Sequence, residues 1–222
     1  MELLLATRNA YKRREFAELL GDDFEISDLS TSAGPPIEET GDTFMENAVL
    51  KAVVASQDRQ LLVAADDSGL EVNALDGAPG ILSARYAGDN ATDRANIDKL
   101  LRELEGRSER SARFRCVIAL ARGGKSLGTF EGRINGIIVD PPRGENGFGY
   151  DPIFVPNGFD KTFAELPSEI KNQISHRARA IRALRAGLSA LQRGGQGWAG
   201  GGGPGGGWGP GAAGPPGPAA LI

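Results

Sequence analysis

The sequence predicts an α/β protein: a mixed central sheet flanked by helices and divided into two lobes. Three observations predict this class. The first half alternates strand and helix, with buried runs at Leu3–Ala6 and 61–65 each set beside a capped amphipathic segment. The stretch from about 112 to 139 then reads as consecutive strands, which a purely doubly wound sheet does not contain. The chain has 222 residues, 40% of them hydrophobic, enough to bury a substantial core.

Each element has a local reason. Leu3-Leu4-Leu5-Ala6 is a short apolar run, and Asn9 caps a helix whose Tyr11, Phe16, Leu19 and Leu20 fall on one stripe ending at Gly21. Phe24–Leu29 reads as a more exposed strand. Thr43 and Glu46 form a capping box for a helix with Phe44, Ala48, Ala52 and Ala55 on its inner face. Leu61–Ala65 reads as a strand buried on both faces that ends in a turn at Asp66-Asp67-Ser68-Gly69, before a half-exposed strand at Leu70–Leu75. A helix from Thr92 carries Ile97, Leu100, Leu101 and Leu104. Three strands are expected at Ala112–Ala121, Leu127–Gly132 and Ile134–Val139, and a further one at Pro152–Val155. A long helical region runs from Pro167 to about Leu191, with Lys171, His176 and Arg177 on its polar side.

Composition excludes several classes. Lys plus Arg number 25 against 29 for Asp plus Glu, a net charge of −4 that argues against indiscriminate nucleic-acid binding. One cysteine, Cys116, lies in an apolar run and is expected in the core; one histidine rules out His-rich zinc sites. No apolar run approaches the roughly 18 residues of a membrane span, and Met1-Glu2 leads directly into a strand without a leader. A cytoplasmic protein without membrane partners is expected. The working domain is residues 1–190. The tail, 191–222, is expected to be disordered: from Gly194 onward it holds 14 glycines and 5 prolines in 29 residues and no charged side chain.

Four places concentrate chemistry. Asp66 and Asp67 at the end of a buried strand are costly unless something cationic holds them. In isolation they read as a turn chosen for local hydrogen bonds; at a strand's carboxyl end they also suit a divalent metal and a general base. Thr7-Arg8-Asn9-Ala10-Tyr11-Lys12 is a strand–turn–helix junction whose N–H groups and dipole suit an anion, with Lys12 adding a full charge. Glu38 and Glu39 lie in a loop ahead of a helix. Gly147-Phe148-Gly149-Tyr150-Asp151 offers an aromatic face where glycines let a ligand approach closely.

The order of these pieces carries a resemblance. Thr7-x-Asn9-x-x-Lys12 is followed by Glu38-Glu39-Thr40-Gly41-x-Thr43-Phe44-x-Glu46-Asn47-Ala48 and Ala65-Asp66-Asp67-Ser68-Gly69-Leu70. Then come Gly77-x-Pro79-Gly80, Ser83-Ala84-Arg85-Tyr86, Gly147–Pro152 and Ser175-His176-Arg177. From residue 3 to about 190 the chain resembles the inosine/xanthosine triphosphate pyrophosphatases of the HAM1/RdgB type. The resemblance implies hydrolysis of non-standard purine triphosphates (ITP, dITP, XTP) to the monophosphate and pyrophosphate. It also implies Mg²⁺ as cofactor, a site in the cleft between two lobes, and a homodimer; the overall acidity of the chain argues against a stable nucleic-acid complex.

Residue by residue, Asp67 would be the catalytic base, and Glu38 and Asp67 would hold the metal, with Glu39 and Asp66 as alternates. Thr7, Arg8, Asn9, Lys12 and Ser68 would bind the phosphates, Ala10 and Tyr11 would also contact the substrate, and Lys171 would be a further cation. Phe148 would stack on the purine, Gly149, Tyr150 and Asp151 would complete its pocket, and His176 and Arg177 would face the six-position carbonyl. A pyrophosphatase for another modified nucleotide, or a catalytically silent nucleotide sensor, are the alternatives.

Overall fold

The computed structural model describes residues 1–30, 35 and 37–193. Six strands form one sheet. β1 (Glu2–Leu5) lies between β2 (Glu25–Asp28) and β3 (Leu62–Val72) and runs parallel to both. Beyond β3 the sheet turns antiparallel, through β4 (Ser111–Arg122) and β5 (Lys125–Ile138) to the short edge strand β6 (Phe154–Pro156).

Alternation along the strands builds two cores on opposite faces, because successive side chains point to opposite sides of a sheet. Leu3, Leu5, Ala64, Ile118 and Leu120 pack against Phe16 of α1 (Ala10–Leu20) and Leu184 and Leu188 of α5 (His176–Arg193). On the other face Leu4, Val63, Ala65, Val117 and Ala119 meet Phe44, Ala48 and Ala52 of α2 (Phe44–Ser56). A third core sits farther along the same long strands. There Leu70, Val72, Phe114 and Ile134 pack with Ile97 and Leu100 of α3 (Asp93–Glu103) and with Phe154 and Phe163. The two lobes are therefore two groups of packing around one continuous sheet, and β3 and β4 cross from one to the other.

That crossing corrects the expectation of a turn at 66–69. Asp66 to Gly69 are mid-strand, paired with Ile118, Val117, Cys116 and Arg115 of β4. They form the waist where β3 leaves the first two cores and enters the third. The three strands expected between 112 and 139 are two, joined at Gly123-Gly124. Gly132, where a break was expected, lies inside β5 because α5 rides directly on it: a Cβ there would stand 2.1 Å from the His176 carbonyl oxygen and 2.5 Å from the Ala180 nitrogen. The single helix expected from Pro167 is also two, α4 (Ser168–Ile174) and α5, separated at Ser175, whose ψ of 160° is extended. The Ser175 hydroxyl accepts the Ala178 N–H at 3.1 Å and so caps α5, a contribution of about 1 kcal/mol. Pro152 and Ile153 belong to a 3-10 turn, Asp151–Ile153, rather than to the strand that follows. Of the expected tail, residues 191–193 complete α5 and the rest lies outside the described residues.

Candidate active site

Strand alternation splits the two aspartates at the waist. Asp66 and Ser68 point to the α1/α5 face, Asp67 to the α2 face, and both carboxylates are buried. Asp66 meets Lys12 at 3.0 Å and Arg177 at 3.3 Å. Burial works to raise its carboxyl, but the Lys12, Arg177 and Lys51 charges override that and hold it well below the usual carboxylate range. Asp67 accepts from the Asn47 amide at 3.1 Å and stands 3.7 Å from Lys51. Burial raises its carboxyl, Lys51 pulls the other way, and the neighbouring Glu39 carboxylate adds to the rise, so that it sits above its ordinary value. One aspartate is thus a fixed anion and its neighbour a readier proton acceptor.

Elements from both lobes converge on this waist. From α1, Glu15 pairs with Arg177 at 2.5 Å and with Lys171 at 3.1 Å. Lys171 also meets Asp151 at 2.6 Å, and Asp151 accepts the Phe148 N–H at 3.0 Å. From α2, Lys51 reaches Glu39 at 2.5 Å, and Arg85 meets the same carboxylate at 3.4 Å. These contacts link five cations, Lys12, Lys51, Arg85, Lys171 and Arg177, with five carboxylates, Glu15, Glu39, Asp66, Asp67 and Asp151. The network is charge-balanced as it stands.

A cavity of about 190 Å³ opens here. It is lined by Asn9, Lys12, Glu39, Asp67 and Ser68 and by Phe148, Gly149, Tyr150, Lys171, His176 and Arg177. An adjoining hollow of about 320 Å³ is lined by Thr7, Arg8, Asn9, Lys12, Glu39, Lys51 and Asp66. The structure thus gathers most of the residues singled out in the sequence. Ala10 and Tyr11 are exposed, Tyr11 with its ring stacked on Phe148 at 5.4 Å, and Glu38 faces solvent while Glu39 lines both hollows. Asn9 uses its side-chain carbonyl on the Tyr11 and Lys12 N–H groups at 2.9 and 3.2 Å, so two donors of the helix start are already satisfied.

The basic residues on the polar side of the C-terminal helical region are buried. Arg177 is 2% exposed and Lys171 7%. His176 stacks on Phe114 at 4.7 Å, and its Nδ1 is buried without a partner. Burial, then the Arg177 and Lys171 charges, drive its pKa well below the ordinary value. Cys116 is buried in the core, its thiol pushed up to about 12 chiefly by burial. Tyr150 is anchored through its hydroxyl, which donates to the Ser83 carbonyl at 2.9 Å, and Asp93 accepts the Gly149 N–H at 2.6 Å.

Sequence reasoning missed Glu15, Asn47, Lys51 and Asp93. Asn47 and Lys51 lie one turn apart beside the small alanines of the inner face of α2. Polar side chains flanking a stripe of alanine, where backbones approach closely, were the available signal.

The fold and cleft define a two-lobed α/β protein with an oxygen- and cation-lined waist suited to a polyanionic ligand bearing a flat ring. A model of the Ham1 family matches residues 3–187, and the chain belongs to that family. A dITP/XTP pyrophosphatase of Bacillus licheniformis is 51% identical over 190 residues, 83% of this chain and 96% of that protein. The Bacillus subtilis dITP/XTP pyrophosphatase is 48% identical over 187 residues, 82% and 94% of the two chains. Among solved structures, the Staphylococcus aureus Ham1 protein superposes with a TM-score of 0.78 at 46% identity, covering 86% of this chain and 99% of that one. A HAM1 protein from Coxiella burnetii gives 0.78 at 45% identity, with the same coverage.

Proposed function

We propose that this chain is a nucleoside-triphosphate pyrophosphatase that hydrolyses non-standard purine nucleoside triphosphates, ITP, dITP and XTP, to the monophosphate and pyrophosphate. The observation that carries the reading is the waist itself: a buried Asp67 with a raised pKa lining a cavity that also holds Lys12, Lys171, Arg177 and Phe148. The names of the relatives point to the same activity.

A triphosphate brings about four negative charges, and such a load in a cleft needs neutralising. The charge-balanced network cannot supply that alone, because each of its cations already faces a carboxylate. Oxygen donors fit a hard divalent cation, and Mg²⁺ takes one or two carboxylates together with phosphate oxygens and water. Asp67 and Glu39 line the cleft where such an ion would be held, with Glu38 next to Glu39 in sequence. Bound there, Mg²⁺ would neutralise phosphate charge.

The chain's own residues would do the rest. Lys12, with Thr7, Arg8, Asn9 and Ser68 around it, would hold the phosphates. Asp67 would take the proton of a water molecule as its oxygen bonds to phosphorus and the α–β anhydride breaks; a base raised toward neutrality suits that transfer. Phe148 would stack on the purine. Lys171 and Arg177, fixed by Asp151, Glu15 and Asp66, are donors that a six-position carbonyl can accept and the amino group of adenine cannot. An unmet buried donor costs roughly 1–3 kcal/mol, so two of them build selectivity. His176, buried and neutral, would shape the base pocket. A soluble cytoplasmic homodimer without nucleic-acid or membrane partners completes the proposal; no helix among the described residues is long and apolar enough to cross a membrane.

The test is Mg²⁺-dependent pyrophosphate release across ITP, dITP, XTP, GTP, ATP and dTTP. Preference for the first three supports the reading. Release foremost from dTTP, or from none, refutes it.

A further inference from the structure

We propose that Asn47 is a positioning residue, its side-chain amide clamping the Asp67 carboxylate to the backbone of the acidic loop that carries Glu39. This deepens the function proposed above and rests on it.

Asn47 is fully buried, and both ends of its amide are in use. Its Oδ1 accepts the Gly41 N–H at 2.8 Å, and its Nδ2 donates to Asp67 Oδ2 at 3.1 Å. The orientation is forced by chemistry: the Gly41 N–H can only donate and an ionised carboxylate can only accept. The loop is pressed close onto the helix. A Cβ at Gly41 would stand 2.6 Å from Glu46 Cβ and 2.9 Å from Asn47 Oδ1. The start of α2 is locked as well, since the Thr43 hydroxyl accepts the Glu46 N–H at 3.1 Å and Glu46 accepts the Asp42 N–H at 2.7 Å.

The other Asp67 oxygen, Oδ1, accepts the Ser68 N–H at 3.1 Å, so rotation of the carboxylate would break two hydrogen bonds. One turn beyond Asn47, Lys51 joins Glu39 at 2.5 Å to the Asp66 carbonyl at 2.8 Å. Asn47 therefore fixes where the base points and how the loop bearing the second carboxylate sits relative to it. No apolar residue can replace it, because the Asp67 oxygen and the Gly41 N–H would both be left without a partner in a buried place.

The experiment compares the parent with Asn47→Ala, measuring kcat and KM for ITP, Mn²⁺ affinity of the nucleotide-free enzyme by electron paramagnetic resonance, and Tm. A clamp predicts a kcat loss of about 30-fold or more with KM within about threefold, because a small misplacement of a reacting group is expensive. It also predicts Mn²⁺ affinity weakened about fivefold or more, since the loop is no longer tied to Asp67. A folded variant with kcat within about threefold and unchanged Mn²⁺ affinity overturns the proposal. So does activity lost only in proportion to the unfolded fraction. Should Asn47→Ala not fold, Gly41→Ala, which displaces the same loop from its other end, is read by the same limits, and failure of both to fold also counts against the clamp. A parent inactive on every purine triphosphate refutes the functional reading instead, and the clamp then stands or falls on Mn²⁺ affinity alone.

Discussion

His176 is the only histidine in the chain, so its titration can be read without interference from another imidazole. It is 5% exposed, flat against Phe114, and pushed well below its ordinary pKa of 6.5 by burial and then by the charges of Arg177 and Lys171. The unfolded chain therefore takes up a proton near pH 6.5 that the folded chain refuses. A depressed folded pKa gives stability that is complete above the unfolded value and is lost as the pH falls below it. Between pH 7.5 and 5.5 that linkage removes about 1.4 kcal/mol. For a protein of this size the loss corresponds to a Tm decrease of about 3–6 °C. His176→Phe keeps a flat ring against Phe114 and cannot titrate, so scanning calorimetry of parent and variant at pH 7.5, 6.5 and 5.5 should show this extra decrease in the parent alone. Carboxylates that begin to protonate near pH 5.5 cancel in the comparison. Parallel pH dependence of the two proteins, or an imidazole NMR signal that titrates at or above 6.5, would refute the reasoning.

Asp67→Asn should abolish turnover while ITP binding, measured by calorimetry, stays within about threefold of the parent; near-normal turnover would remove Asp67 from the base role. Lys12→Ala should raise KM for ITP tenfold or more, about 1.4 kcal/mol of lost binding, and an unchanged KM would return Lys12 to the structural task of holding Asp66. At Gly69 a Cβ would stand 2.4 Å from Ser83 Oγ and 2.5 Å from the Gly80 carbonyl oxygen. Gly69→Ala should therefore cost about 1–3 kcal/mol of stability, read as a lower urea midpoint; no change would mean that the 3-10 segment Gly80–Arg85 yields freely.

Much of the architecture was legible in local signals. Asn9 and Thr43 do cap helices, and the apolar stripes of the helices from Asn9, Thr43 and Thr92 do face cores, except for Tyr11, which is exposed. The failures share a cause. Gly132 looked like a strand end because glycine usually interrupts a strand, whereas here it makes room for α5. Asp66-Asp67-Ser68-Gly69 looked like a turn because those residues form turns when nothing else holds them. In the folded chain Lys12, Arg177, Asn47 and Lys51, brought from three helices, hold the carboxylates inside a strand. The burial of Lys171 and Arg177 was not legible because their partners Glu15, Asp66 and Asp151 come from other parts of the chain.

By itself the sequence determined most of the strands and helices, which stripes are apolar and which residue types are available for chemistry, since propensity, capping and periodicity act over a few residues. The tertiary structure decided that β3 runs unbroken through the waist and that its two aspartates face opposite ways. It also decided that Asp66 stays ionised among cations while Asp67 is raised by burial and by the nearby Glu39. Those outcomes depend on burial and on charges contributed by distant parts of the chain, and desolvation and Coulomb interaction follow distance in space, which only the folded chain sets.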